Sequence, residues 1–363
     1  MNIYPCVYVV GDEYRIVVAS HDAFICTLEV GSKIYKDHNS GIMNSSDVHS
    51  FRVKQSALDR SGKYSLTVRK FIRKFAYDTE FGNEERYDFN MQQTVKRNFP
   101  AKPFTIYYTA DVHDAYDKAI SAAEFAKAAE NVSLVVFGGD LGEIQTPENA
   151  VDFCRFMHDM TNGGTLPALY CRGNHDTRGG YAQELWRYSG TDDKKSYFTF
   201  TYKGFCGLVL DCGEDKPDTH PVYGGGNAFH EFRLEESKFI ERVLKSGKRV
   251  DSAFCHITFM QRSSMNGEFD IETRLYDEWA NLLNEIAPGI MISGHTHKIA
   301  FAEPTTDDIR PYNYPVLVAA EINDRIVGSL VTFTPDGNKI VRHVNDLGEI
   351  TPPFTIRKPS RNT

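Results

Sequence analysis

Residues 104–113 read FTIYYTADVH. A six-residue β-branched and aromatic run passes through one alanine into an aspartate and, two positions later, a histidine. A run with no polar alternation suits a strand covered on both faces. Polar groups just past the carboxyl end of such a strand stand where open α/β sheets gather function. The pattern continues downstream. "YDKAISAAEFAKAAE" (116–130) and "ENAVDFCRFMHDM" (148–160) have helical periodicity, and they alternate with the apolar runs "SLVVFGG" (133–139) and "PALYCRG" (167–173). Strand and helix in alternation predict a parallel sheet with crossover helices.

Further along, "SYFTFTYKGFCGLVLDCG" (196–213) predicts a hairpin. "RLEESKFIERVLKS" (233–246) and "IETRLYDEWANLLNEI" (271–286) predict helices around the strand "RVDSAFCHITF" (249–259). After "GIMISGHTH" (289–297) the chain returns to paired strands, "YPVLVAAEI", "GSLVTFTP" and "NKIVRHVND". The first hundred residues differ. "RIVVAS", "AFICTLEV", "HSFRVK" and "YSLTVRKF" are short strand-type runs separated by Gly, Asn, Asp and Ser, the pattern of a small β-sandwich. The expected organisation is an all-β sandwich over 1–97, a linker "NFPAKP" at 98–103, an α/β domain over 104–355 and a tail at 356–363.

Bulk properties narrow the function. The chain has 363 residues, 41% of them hydrophobic, which suffices for a large core and argues against disorder. A net charge of −8 disfavours long nucleic acid as a partner, because non-specific binding needs a basic surface. No apolar run is long enough to span a bilayer, so no membrane is expected. The start "MNIYPCVYVVGDEYR" lacks the basic, apolar and small-residue segments of a signal peptide. Seven cysteines without a CxxC pair suggest reduced thiols. These features predict a cytoplasmic protein.

The strand ends carry the chemistry. They deliver Asp111 and His113 ("ADVHD"), Asp140 ("GGDLGE"), Asn174 and His175 ("RGNHD"), His256 ("CHIT"), and His295 and His297 ("SGHTH"). Any one of these histidines alone could be a satisfied structural residue, and either aspartate a turn former. Together they form a thiolate-free set of imidazole, carboxylate and amide, which suits Mn, Fe or Zn. The set is too large for one ion and about right for two. Two adjacent divalent ions with a bridging carboxylate clamp a phosphoryl displacement and acidify a bridging water.

The ordered blocks "DVH", "GGD", "GNHD", "H" and "GHTH" resemble the calcineurin-like metallophosphoesterase superfamily over roughly residues 104–345. The resemblance implies a layered β-sandwich flanked by helices and a dinuclear phosphoesterase that uses a metal-bridging hydroxide. It implies Asp111, His113 and His297 on one ion, Asn174, His256 and His295 on the other, and Asp140 between them. His175 would act as proton donor or positive group over the leaving oxygen, and Arg172 would contact phosphate. The preceding sandwich is similar to the layout of purple acid phosphatases. Two departures stand out. Glu143 occupies the place of their metal-binding tyrosine, and His113 is a histidine that they lack, so a colourless centre is expected. Relatives with GDxxD suggest that Glu143 orients His175. Ile144, where protein Ser/Thr phosphatases carry an arginine, counts against that substrate class. The implied substrate is a small phosphate mono- or diester or a nucleotide, and closure of the insertion near 213–230 would decide between ester classes. That insertion, with "YGGGNAFH" (223–230), is read as an ordinary loop. The alternative function is a non-catalytic scaffold on a retired phosphoesterase fold; such relatives lose ligands, and no loss is visible here. A structural zinc site would favour a closed, cysteine-rich set.

Overall fold

Six consecutive buried residues, Phe104–Thr109, form a strand at the heart of a 13-stranded sheet in the computed structural model, which describes residues 1–75, 77–92, 98–259, 271–306 and 310–358. Leu134–Phe137 lies parallel to it, with Val136 opposite Tyr108, and Ala168–Tyr170 lies parallel to that strand in turn. On the other side Ile326–Phe333 and Lys339–Asn345 add antiparallel strands. A second sheet of six strands runs Phe198–Tyr202, Phe205–Leu210, Ser252–Cys255, Met291–Ser293, Val316–Val318 and Ala300–Ala302, its middle pairings parallel.

Side-chain alternation explains how the layers stack. In the second sheet Val209, Phe254, Ile292 and Leu317 point into the core shared with the first sheet. Their neighbours Leu208, Leu210, Ala253, Cys255, Met291 and Val316 point outward, under two helices. Successive strand residues face opposite sides, so one run of apolar residues supplies two layers. The outer layer is completed by Phe229–Ser246, through Ile240 and Val243, and by Thr273–Ile286, through Tyr276, Trp279 and Leu283.

On the far face of the first sheet lie Tyr116–Ala129 and Pro147–Met160. The first buries Ala119, Ala122, Ala123 and Ala126, small residues that let the helix approach the sheet closely. The second starts at a Thr146 capping box with Asn149 and carries proline in its first turn, which fixes where it begins. The expected α/β layering is thus observed, as is the hairpin within 196–213.

The N-terminal strands form the small sandwich expected of them, with Glu13–Val30 pairing with Ser46–Lys54 and Lys63–Lys74, and the last of these with Thr79–Asn90. One feature was not visible in the sequence. Tyr4–Val10 lies parallel to Ala168–Tyr170, with Tyr8 opposite Ala168, so the N-terminal strands continue the α/β sheet. The chain crosses 98–103, but the sheet does not break there. Tyr8 donates to Met157 Sδ at 2.9 Å, His158 Nδ1 lies 2.8 Å from the Pro5 carbonyl, and Tyr64 donates to the Gly164 carbonyl at 2.8 Å. The sandwich boundary at residue 97 and the tail beyond 358 fall outside the described residues.

Candidate metal centre

Parallel strands end on the same edge, so the turns after Phe104–Thr109, Leu134–Phe137, Ala168–Tyr170, Ser252–Cys255 and Met291–Ser293 meet there. These turns are tight and strained. Asp111, His113, Asp140, His295 and His297 all have positive φ, between 46° and 71°. Left-handed backbone is costly for any residue with a Cβ and persists where the surroundings enforce it, characteristically at functional sites. Glycines make the close approach feasible. A Cβ on Gly139 would stand 2.4 Å from Gly173 N, and one on Gly173 would stand 2.2 Å from Asp140 Oδ1.

The side chains converge. His113 Nε2 and His297 Nε2 are 3.1 Å apart, and His297 Nε2 is 3.5 Å from Asp111 Oδ1. Across the site His256 Nε2 is 3.1 Å from Asp140 Oδ2 and 3.9 Å from Asp111 Oδ1. One end of the Asn174 amide lies 3.0 Å from His295 Nδ1, 3.2 Å from Asp140 Oδ2 and 3.3 Å from His256 Nε2. Two three-residue groups emerge, Asp111–His113–His297 and Asp140–His256–His295, with Asp140 also grouped with His113 and His175. Asp111, Asp140, Asn174 and His256 are buried, whereas His297 is exposed on the solvent side.

Hydrogen bonds aim these groups. His256 Nδ1 lies 2.8 Å from the Gly138 carbonyl, which holds a proton on Nδ1 and turns Nε2 inward. Asp111 accepts the His295 N–H, and Asp140 Oδ1 accepts the His175 N–H at 2.7 Å. The electrostatics follow from crowding. Burial would lower the His256 pKa, but Asp140 and Asp111 outweigh it and raise it to about 10. Burial opposes ionisation of Asp140, yet His256 holds it well below the usual carboxylate range; Asp111 is pushed up, first by burial and then by Asp140. Burial, helped by the His256 charge, takes His295 down to about 3, so it offers a neutral imidazole. His113, His175 and His297 are also lowered, chiefly by burial.

The arrangement fits divalent cations. Imidazole lone pairs, two carboxylates and an amide face one another with too few protons to share, and positive charge among them resolves the conflict. The set contains no thiolate.

The other two sequence candidates stand elsewhere. Arg172 donates from Nε to Asp211 at 2.7 Å and packs over the Phe232 ring at 5.2 Å, so its guanidinium is engaged by an ion pair and a ring. Glu143 is exposed and accepts from Gln145 at 3.1 Å. The contact to His175 that was expected of Glu143 comes from Arg178, whose Nη1 is 2.8 Å from His175 Nε2 and 3.2 Å from Nδ1. Glutamate at 143 points out of its turn, whereas Arg178 follows His175 by three residues on a short 3₁₀ turn and so folds back onto it. Asp176, read only as the last letter of "GNHD", is fully buried. It accepts the N–H groups of Asp140, Leu141 and Gly173 and the hydroxyl of Tyr170. In the sequence the only signal is an acid directly after the "GNH" triplet.

The model of the calcineurin-like phosphoesterase family matches residues 104–299, more than half the chain. The chain belongs to that family. As a calcineurin-like phosphoesterase it is a metal-dependent phosphoric ester hydrolase, and its fold agrees. A purple acid phosphatase from yellow lupin (Lupinus luteus) seeds superposes with a TM-score of 0.61 at 14% identity, covering 99% of this chain and 74% of that one. PhoD superposes at 0.60 and 11% identity, covering 98% and 90%. No curated protein sequence matches the chain. No helix among the described residues is long and apolar enough to cross a membrane.

Proposed function

We propose that this phosphoesterase hydrolyses phosphate esters of a small molecule or nucleotide at a dinuclear centre. Asp111, His113 and His297 would hold one ion, Asn174, His256 and His295 the other, with Asp140 shared. The observation that carries this reading is the position of Asp140. Its carboxylate belongs to two of the three ligand groupings, one with His256 and His295 and one with His113 and His175. Two such ions, when bound, supply Lewis acidity and lower the pKa of water; manganese, iron and zinc all suit the donor set.

The chain's own residues do the rest. The Gly138 carbonyl keeps the His256 tautomer fixed. Asp111 and Asp140, through the backbone N–H groups of His295 and His175, tie the turns together, so the reacting groups are held before substrate arrives. His175, half-buried beside His113 with ring centroids 4.7 Å apart, would donate a hydrogen bond or proton to the leaving oxygen. Seven cysteines without a CxxC pair suit reduced thiols, so we place the protein in a reducing compartment such as the cytoplasm.

The test is hydrolysis of para-nitrophenyl phosphate and its bis-ester by manganese-loaded protein, with Asp140→Asn as the blank. Turnover that vanishes in the blank supports the reading. Two bound metals with no turnover of either ester would point instead to an enzyme of narrow specificity or to a non-catalytic scaffold.

A further inference from the structure

The insertion that was expected to be an ordinary loop reaches into the site through charge. Glu214 is buried, and it grips Arg178 with both oxygens: Oε1 accepts from Nε and Oε2 from Nη2, each at 2.8 Å. Asp215 lies 3.4 Å from the same Nη2, and the Tyr223 hydroxyl donates to Glu214 Oε2 at 3.0 Å. The clamp is itself anchored. Arg233, fully buried, donates from Nη2 to the Glu214 carbonyl at 2.8 Å and from Nε to the Cys212 carbonyl at 2.7 Å. Lys216 neutralises Asp215 at 2.7 Å.

The consequence is directional. A guanidinium is a planar fork with five donors. With Nε and Nη2 held by Glu214, Arg178 presents Nη1 toward His175, on the side of the candidate metal centre. Nη2 also lies 3.2 Å from the outer end of the Asn174 amide, so the guanidinium touches two neighbouring residues of the centre. Holding a cation in place in this way lets it meet developing or fixed negative charge without reorganising.

We infer that Arg178 binds a terminal oxygen of the substrate's phosphoryl group, and that the Glu214–Asp215–Tyr223 clamp makes the site selective for phosphate monoesters. The chemistry is a matter of counting oxygens. A monoester has three terminal oxygens besides the leaving one, and ions held by the centre's ligands would face at most two of them. The third is charged and unesterified, a good acceptor for a guanidinium N–H. In a diester that position is esterified, so it accepts poorly and carries a substituent into the space Arg178 and its clamp occupy. The inference rests on the phosphoesterase reading for its substrate, but the anion site can be tested without turnover.

The experiment compares wild type, Arg178→Met and Arg178→Lys, all loaded with manganese and checked for metal content. Inorganic phosphate is titrated calorimetrically, and kinetics are measured on para-nitrophenyl phosphate and its bis-ester. Arg178→Met should keep its metals, weaken phosphate binding at least about tenfold, and lose about 10²–10³ in kcat/KM for the monoester, the loss typical of one preorganised donor. The diester should lose less than about tenfold. Arg178→Lys keeps the charge but not the fork, so it should fall between; it also serves if the methionine variant does not fold. Equal losses on both esters, or unchanged phosphate affinity, would overturn the inference. If wild type turns over neither ester, the titration alone decides. Arg178-dependent phosphate binding then upholds the anion site while the hydrolase reading fails, and Arg178-independent binding overturns it.

Discussion

Asp176 Oδ2 accepts the backbone N–H of Asp140 at 3.1 Å, so a residue with no place among the candidate ligands holds the one they share. Its other oxygen takes the Leu141 N–H at 3.0 Å, and Gly173 N–H and the Tyr170 hydroxyl complete its shell. A single carboxylate therefore fixes two strand-end turns against each other. Asp176→Ala should leave these buried donors unpaired, at about 1–3 kcal/mol for each group that finds no water. The expected result is a fall in thermal midpoint together with weaker metal binding, partly recovered in Asp176→Asn. An unchanged midpoint with unchanged metal content would show the turns hold without it.

Asp140→Asn tests the ligand proposed to be shared. Asparagine keeps the shape but removes the charge that faces His256 at 3.1 Å. Activity should vanish and both ions should bind more weakly, read by metal analysis after dialysis. Normal turnover with both metals retained would remove Asp140 from its proposed place.

His175→Ala separates ligand from acid. The imidazole touches Arg178 and lies beside His113, and the hydrogen bond to Asp140 comes from the His175 backbone N–H. Metal content should hold and kcat should drop by about 10²–10⁴. Loss of metal in this variant would make His175 a ligand.

The pH response of metal-stripped protein follows from His256. Its folded pKa, about 10, lies above the value near 6.5 of an unfolded histidine. The ion pair with Asp140 therefore stabilises the fold fully below about pH 6.5 and progressively less as pH rises toward 10. Metal binding must displace that proton, so affinity should climb across the same window and each binding event should release protons to buffer. Calorimetry in buffers of different ionisation enthalpy measures the release; His256→Gln should abolish the steepest part of the pH dependence.

Removing residues 1–97 should prevent folding of the remainder. Tyr4–Val10 occupies a sheet position beside Ala168–Tyr170, and Val7, Tyr8 and Val9 are fully buried. Without them an inner strand becomes a bare edge and the helix Pro147–Met160 loses its apolar floor. Residues 98–363 expressed alone should be insoluble or molten by circular dichroism. A cooperatively melting fragment would make the sandwich a detachable unit.

The sequence by itself determined the layers and the convergence of the centre. Unbroken apolar runs such as Phe104–Thr109 need cover on both faces, helices alternate with them, and parallel strands end on one edge. Asp111, Asp140, Asn174, His256 and His295 had therefore to meet once the strands were recognised. Tertiary structure decided what depends on contacts distant in the chain. Arg172 and Glu143 stand at suggestive positions, but Asp211, Phe232 and solvent claim them. Arg178 lies at a position with no signal of its own; its direction is set by Glu214, 36 residues away. The junction between sandwich and α/β sheet was equally hidden, because pairing Tyr8 with Ala168 is a matter of register across 160 residues. Local periodicity encodes which face of a strand is buried; it does not encode which distant strand or carboxylate will stand beside it.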